Sequence, residues 1–303
     1  MSTQIPTSFV QQYSSAVRHL VQQRMSRLRG FVDVRTGLTG ESAFFEQIGE
    51  VTSSKKTGRH QPIEFSDTPH KRRMVTSETY DTADAIDNDD RLRMLIADPA
   101  GEYARAQAKQ MGRDVDDILI TAATGPAQTG KTGSTTVNLP ASQKIDVNYV
   151  EAGSPANSNL TVGKLRRAKA ILLGNEVDED NLFMAVSSSQ LHSLLFDNKL
   201  TSADFNTVRA LVNGEIDTFM GFRFVRSERL QRDSSDHRRV FAWAREGIAL
   251  GVWQDVTTRI DPRVDLRTHP MQVYTWMDMG ATRMEEKQVV EIACDESADL
   301  VST

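Results

Sequence analysis

The sequence predicts an α+β fold with one long helix and a polar projection, and three observations carry that expectation. Asp98 and Pro99 open a helical stripe that runs to Gly125. Between Gly49 and Arg91, about forty residues are too polar to fold around a core of their own and too varied to be a linker. Beyond Pro140, apolar strands alternate with helices before two strands close the chain.

The elements follow in order. Ser8 is placed to cap an amphipathic helix carrying Val10, Tyr13, Val17, Leu20 and Val21, with Met25 and Leu28 extending the stripe to Gly30. A short strand from Phe31 to Val34 and a turn at Gly37 to Gly40 come next, and Phe44, Phe45 and Ile48 lead into the polar segment. Within it, Gln61 to Ser66 and Met74 to Tyr80 read as the two strands of a protrusion. An isolated hairpin is marginal in water, so such a protrusion needs a surface to lie on.

The charges of that segment are sorted. Lys55, Lys56, Arg59, Lys71, Arg72 and Arg73 occupy its first part. Glu78, Asp81, Asp84, Asp87, Asp89 and Asp90 follow with no basic residue between them. A basic stretch beside an acidic one pairs with a second copy of the same chain, and these twelve residues are the expected intersubunit contacts.

The long helix carries Ala100, Ala104, Ala108, Met111, Val115, Ile118 and Ala122 on one stripe. Roughly 25 residues at 1.5 Å each make a rod of about 37 Å. Further on, Thr161 opens a helix with Leu165, Ala168, Ile171 and Leu172 that Gly174 stops. Leu182 to Val186 is a buried strand, Ser188 or Ser189 caps a helix with Leu191, Leu194 and Leu195, and another helix bears Phe205, Val208, Leu211 and Val212. Phe219 to Val225 reads as a strand around Gly221, Arg226 to Arg239 as a charged loop, and Val240 to Trp243 as a strand. Glu246 to Trp253 reads as a short helix. Met271 to Met279 and Gln288 to Ala293 are strands joined through Gly280, with Val273, Met277 and Met279 facing opposite to Tyr274 and Trp276.

Composition narrows the function. At 303 residues the chain is long enough for about two domains. A hydrophobic fraction of 39% points to extended or solvated stretches, and a net charge of −5 argues against a protein held to nucleic acid by phosphate neutralisation. The lone Cys294 excludes an intrachain disulfide framework and fits a reducing compartment. The sequence shows neither a secretory leader nor a run of ~18 apolar residues, so no membrane association is expected.

One motif invites a catalytic reading. Gly125 to Thr132 matches the phosphate-cradling pattern GxxxxGK[ST], which would make the chain a nucleotide triphosphatase acting through Lys131 and Thr132. That chemistry needs a buried strand before the loop and a helix after it. Here a long helix precedes the loop and a β-branched, proline-closed stretch from Gly133 to Pro140 follows, so a flexible glycine and threonine loop is the preferred reading. Asp87 to Asp90 resembles the start of a calcium loop, but Leu92 stands where glycine is needed. The six histidines have no metal-ligand spacing, and no GxSxG elbow or dinucleotide turn exists. Neither enzyme activity nor a cofactor is expected.

The order of arm, polar loop, long helix, α/β region and returning strands resembles the major capsid proteins of tailed bacteriophages, with the Hong Kong 97-type fold. Three passages add to the likeness to podovirus-like capsids. They are Thr57-Gly58-Arg59-His60 with Thr68 to Arg73, Arg91 to Leu95 ahead of Asp98-Pro99, and Gly280 to Arg283 before Val289 to Ile292. The resemblance implies an N-terminal arm over 1–45 and an extended loop over 46–91. It implies a peripheral domain over 92–149 with its spine helix at 98–124, an axial domain over 150–262, and peripheral return strands over 263–303.

The implied function is a shell of hexamers and pentamers around double-stranded DNA. The implied partners are other copies, a separate scaffolding protein suggested by the short arm, a portal protein, a cement protein, and DNA contacted weakly and without specificity. The implied location is the virion, assembled in the host bacterial cytoplasm. An accessory virion component with similar arms is the alternative. Lys55 and Lys56 suit isopeptide donors, but the sequence identifies no partner asparagine, so no crosslink is expected.

Overall fold

The computed structural model describes residues 23, 25–59, 65–87, 99–151, 153–195 and 218–298, and within it Pro99–Thr124 forms one helix of 26 residues, α1. Met111, Val115 and Ala122 are buried on it as their spacing predicts. Ala108 is exposed instead, and Gln107 takes the buried place beside it. The proposed cap Asp98 and the stretch from Arg91 to Leu95 lie outside the described residues, as do most of the N-terminal stripe and the helix of Phe205 to Val212.

Three sheets form. β1 (Asp33–Thr36), β12 (Ile248–Pro262), β13 (Met271–Arg283) and β4 (Glu78–Ile86) give the order β1-β12-β13-β4. β7 (Lys144–Ile145), β14 (Val289–Cys294), β11 (Arg238–Ala244), β8 (Leu182–Val186), β10 (Phe222–Arg226) and β9 (Thr218–Phe219) give β7-β14-β11-β8-β10-β9. β2 (Ser42–Ile48), β3 (His70–Thr76), β5 (Ala127–Thr129) and β6 (Thr135–Val137) give β2-β3-β5-β6.

Of the described residues, one compact unit takes 23, 25, 79–87, 99–114 and 254–278, and the other takes 26–59, 65–78, 115–151, 153–195, 218–253 and 279–298. In the first, Gln107 makes a buried knot. Its amide nitrogen donates to Asp84 at 2.8 Å and to the Val273 carbonyl at 3.2 Å, while the Thr275 hydroxyl donates to its oxygen at 2.8 Å. Such a fully partnered glutamine substitutes for apolar packing without the cost of an orphaned polar group.

The second unit holds the larger core. Every residue of β8 is buried, as its unbroken apolar run demands, between parallel β10 and antiparallel β11. Trp243 packs its ring against Phe183 at 5.7 Å and donates its indole N–H to the Phe31 carbonyl at 3.0 Å. α2 (Val162–Gly174) starts at Thr161, whose hydroxyl accepts from the Lys164 amide. α3 (Ser188–Leu195) follows β8.

Lys164 is wholly buried, and its ammonium donates to the carbonyls of Val147, Ser158 and Ala293 at 2.9, 2.7 and 2.9 Å. Three donors meet three acceptors, which is what keeps a buried lysine tolerable. Burial pulls its pKa down, and the neighbouring Cys294 and Asp295 pull it back up. Asp116, also buried, accepts from the Ser26 hydroxyl and from the Arg27 and Leu28 amides, fixing the turn that leads into β1.

Four expectations from the sequence are corrected. Glu246 to Trp253 is a 3-10 turn at Arg245–Gly247 followed by β12, because Ile248, Leu250 and Val252 recur at the strand period and β1 pairs with them in parallel. Phe219 to Val225 is a hairpin, turned by Met220 and Gly221 at φ 52 and 84. Two successive left-handed residues make the tight turn that suits twisted strands. Gly280 lies inside β13 and not at its end; a Cβ there would sit 2.2 Å from the Thr76 carbonyl oxygen, so the glycine serves close backbone approach. In the polar segment β3 pairs with β2, register Ser42↔Thr76 to Ile48↔His70, so Phe44, Phe45 and Ile48 belong to the ribbon itself. Met74 to Tyr80 is broken at Ser77 between β3 and β4, residues 65–69 form no strand, and Gln61 to Glu64 lie outside the described residues.

Candidate intersubunit surface

The ribbon of β2 and β3 closes where the Gly49 amide donates to the Pro69 carbonyl at 2.8 Å. Beyond that point the chain makes an excursion and returns, and every described residue of 50–59 and 65–67 is exposed. Among these exposed side chains are Val51 at 57% and Phe65 at 95%, and Ile48 at the end of β2 is 72% exposed. Lys55, Lys56 and Arg59 share this strap, and none of them has an ion-pair partner among the described residues.

The base of the ribbon is firmly held. Phe45 and Val75 enter a cluster with Ala249 and Met284, and the Arg35 guanidinium lies 4.4 Å from the Phe45 ring centre. Arg73 is only 5% exposed. Its Nε donates to the Met284 carbonyl at 2.8 Å, and one terminal nitrogen donates to both Glu286 oxygens at 2.8 and 2.7 Å. Gln47 donates to the same carbonyl at 2.7 Å. Arg283 lies beside them, wholly buried, and donates to the carbonyls of Ala123, Gly125 and Val137. Together with Arg239, which donates to the Thr124 carbonyl, it places positive charge on the C-terminal carbonyls of α1.

The expected basic contacts therefore divide. Arg73 is spent inside the chain. Arg72 is half-buried, pairs with Glu46 at 2.8 Å and lies over the Phe44 ring. Lys71 is exposed and has no ion-pair partner among the described residues.

The GxxxxGK[ST] motif falls on the β5–β6 hairpin. No helix follows the loop, so its amides do not converge as a phosphate cradle, and the correct account of its glycines is steric. Gly130 and Gly133 turn the hairpin at φ +95 and +72, and a Cβ on Gly133 would sit 2.2 Å from the Met74 sulfur. The hairpin adds to β3 through Arg73↔Thr129 and Met74↔Gln128, with the Thr129 hydroxyl donating to the Arg72 carbonyl at 2.8 Å. This brings exposed Lys131 to a groove that Lys71, His70, Arg72 and Arg73 also line, together with Glu46 and Glu286. Nothing in the sequence linked Lys131 to Lys71, sixty residues apart.

The acidic set lies on and after β4. Glu78 and Asp81 are exposed. Asp81 accepts from the Tyr274 hydroxyl at 3.2 Å, Asp84 from Gln107, and Asp87 from the Thr268 hydroxyl at 3.5 Å. These donors, two hydroxyls and an amide, are neutral groups. Partial desolvation first, and the Asp81 carboxylate second, hold the Tyr274 phenol above its usual pKa. Tyr274 stacks on Trp276 at 5.1 Å, and Arg259 lies over Trp276. Asp89 and Asp90 are outside the described residues. At the turn between β12 and β13, Ile260, Val264 and Leu266 are exposed, a second apolar tip. Among the described residues no cluster of His, Cys, Asp or Glu could hold a metal ion. None of their helices is long and apolar enough to cross a membrane.

The described residues thus offer a firmly braced ribbon that carries an exposed, partly apolar strap. The fold is shared with solved phage capsids. The capsid of Ralstonia phage GP4 matches with a TM-score of 0.74 at 11% identity, over 96% of this chain and 97% of that one. The capsid of cyanophage Pam1 matches with 0.72 at 14% identity, over 99% of both chains. That of cyanophage P-SCSP1u matches with 0.72 at 13% identity, over 98% and 96%. No curated protein sequence matches. A family model described as phage capsid protein matches residues 5–296, and the chain belongs to that family. It is a structural protein of the virion, a major capsid protein with the Hong Kong 97-type fold.

Proposed function

We propose that copies of this chain form hexamers and pentamers that close into an icosahedral shell around double-stranded DNA, with residues 46–91 lying across a neighbouring copy. The observation that carries this reading is the strap: Ile48, Val51 and Phe65 are exposed, amid basic residues that have no ion-pair partner among the described residues. Burying a large apolar side chain contributes ~1.5–3 kcal/mol, and a closed shell repeats that gain at every copy. Helix 98–124 would be the spine of a peripheral domain over 92–149 and 263–303, with 150–262 as the axial domain. The strap and β4 charges outside Arg73 would set register between copies more than they would add affinity. A scaffolding protein, a portal and a cement protein are the partners that fit this role, with assembly in the bacterial cytoplasm and no catalysis. DNA would meet the inner surface weakly, given the net charge of −5.

The strap reading is tested by Val51→Ser with Phe65→Ser in the full chain. Both side chains are exposed, so the unassembled chain should unfold within ~0.5 kcal/mol of its parent. Particle yield in sedimentation should nevertheless collapse. Normal particles from the double variant would refute the strap.

A further inference from the structure

The GxxxxGK[ST] hairpin has no phosphate cradle, yet it places an unpaired lysine in a cationic groove. Lys131 and Lys71 line that groove with His70 and Arg72, and neither lysine has an ion-pair partner among the described residues. The hairpin's pairing with β3, Arg73↔Thr129 and Met74↔Gln128, is what brings the Lys131 turn to the groove that Lys71 lines. Two lysines and an arginine lining one groove concentrate positive charge there, which favours an anionic partner. Glu46 and Glu286 do not supply it, being engaged by Arg72 and Arg73.

The chain also carries the complementary surface. Among the described strands β4 is at the edge of its sheet, and Asp81 and the following Asp87 are exposed and accept from the neutral Tyr274 and Thr268 hydroxyls. Resting on the shell reading above, we propose that the groove between β3 and the β5–β6 hairpin receives the acidic β4 edge of a second copy, with Lys131 and Lys71 facing Asp81 and Asp87. A charged edge strand also resists indiscriminate pairing, which leaves charge matching to select the partner. Lys131 is thus a specificity-determining contact of assembly. Nucleic acid would be the other polyanion for such a groove, but phosphate would leave the β4 carboxylates unmatched.

The test compares three full-length proteins with the unaltered chain: Lys131→Glu with Lys71→Glu, Asp81→Lys with Asp87→Lys, and all four substitutions together. Nuclease-treated particles are quantified by sedimentation. The first two should each lower particle yield at least ~tenfold, because opposed like charges at an interface are strongly unfavourable, and the combination should restore it. Normal assembly by the chain carrying Lys131→Glu with Lys71→Glu would overturn the proposal. So would a loss that the combination fails to restore, or a defect confined to DNA retention.

A cysteine pair gives a readout that survives poor folding of any charge variant. Lys131→Cys and Asp87→Cys chains, mixed and treated with a bis-maleimide, should yield a cross-linked dimer that neither gives alone; Cys294 is fully buried and does not compete. Absence of that dimer overturns the contact. If the unaltered chain makes no particles, the shell reading fails, and the cysteine pair still decides the contact in the oligomer that forms. Particles from the unaltered chain without the cross-link sink this inference alone.

Discussion

Replacing Arg73 with methionine should destabilise the chain itself, and the size of the effect follows from its partners. The side chain is 6% exposed and that of Glu286 20%. The substitution removes two hydrogen bonds to the Glu286 carboxylate, at 2.8 and 2.7 Å, and one to the Met284 carbonyl. Breaking a buried ion pair from one side costs ~3–5 kcal/mol, because the remaining charge is left without compensation. Two features hold the loss to the lower end: Gln47 still donates to the Met284 carbonyl, and Arg283 stays 3.7 Å from Glu286. We expect about 3 kcal/mol, or a fall in Tm of about 6 °C. The assay is urea and thermal unfolding of the unassembled chain, since shell contacts would raise apparent stability by mass action. Lys71→Met, exposed on the same strand, is the control and should stay within ~0.5 kcal/mol. An Arg73→Met chain as stable as that control would refute the brace. It follows that reversing Lys71, Arg72 and Arg73 together cannot isolate an assembly defect, and charge tests of the ribbon must spare Arg73.

Two further predictions concern the hairpin and the buried thiol. Gly133→Ala should cost ~1–3 kcal/mol in urea unfolding, from its left-handed backbone and the collision with Met74; Gly58→Ala, with open space around it, should cost nothing. Burial pushes the Cys294 thiol up to about 12 from 9.0, offset by Lys164 and reinforced by Glu296. The folded state therefore holds its proton where the unfolded state releases it, so stability is intact below pH 9 and falls as pH rises toward 12. At pH 10.5 the parent should have lost about 2 kcal/mol relative to Cys294→Ala, read as the difference in urea midpoints between pH 8 and 10.5. Lys164, with its pKa lowered, acts in the opposite direction, and because Cys294 is one of the groups that raise it, the difference between the chains reports the coupled pair.

Local signals in the sequence were read well where a residue acts on its near neighbours. Thr161 caps α2, the apolar run from Leu182 is the fully buried β8, and α1 ends near Gly125. The period was misjudged at Ile248, Leu250 and Val252, where strand alternation was taken for a helix because the run is apolar on both faces. Gly280 was read as a turn because its actual constraint, the Thr76 carbonyl, lies some two hundred residues away. Distance also hid the site. An arginine in a polar run gives no sign that it will be buried, and Arg73 is buried only because Glu286 and the Met284 carbonyl receive it. The same holds for Lys131, whose motif drew attention for the wrong chemistry and whose neighbours come from β3. Charge sorting along residues 49–91 was visible at once, but which of those charges remain free needed the fold.

The central claim is shell formation, and electron micrographs of the full chain expressed in bacteria test it most directly. The account requires closed particles with five-fold and six-fold capsomers in which this chain dominates by mass. A monodisperse 33.8 kDa species under the same conditions, with and without the other head proteins, would contradict it.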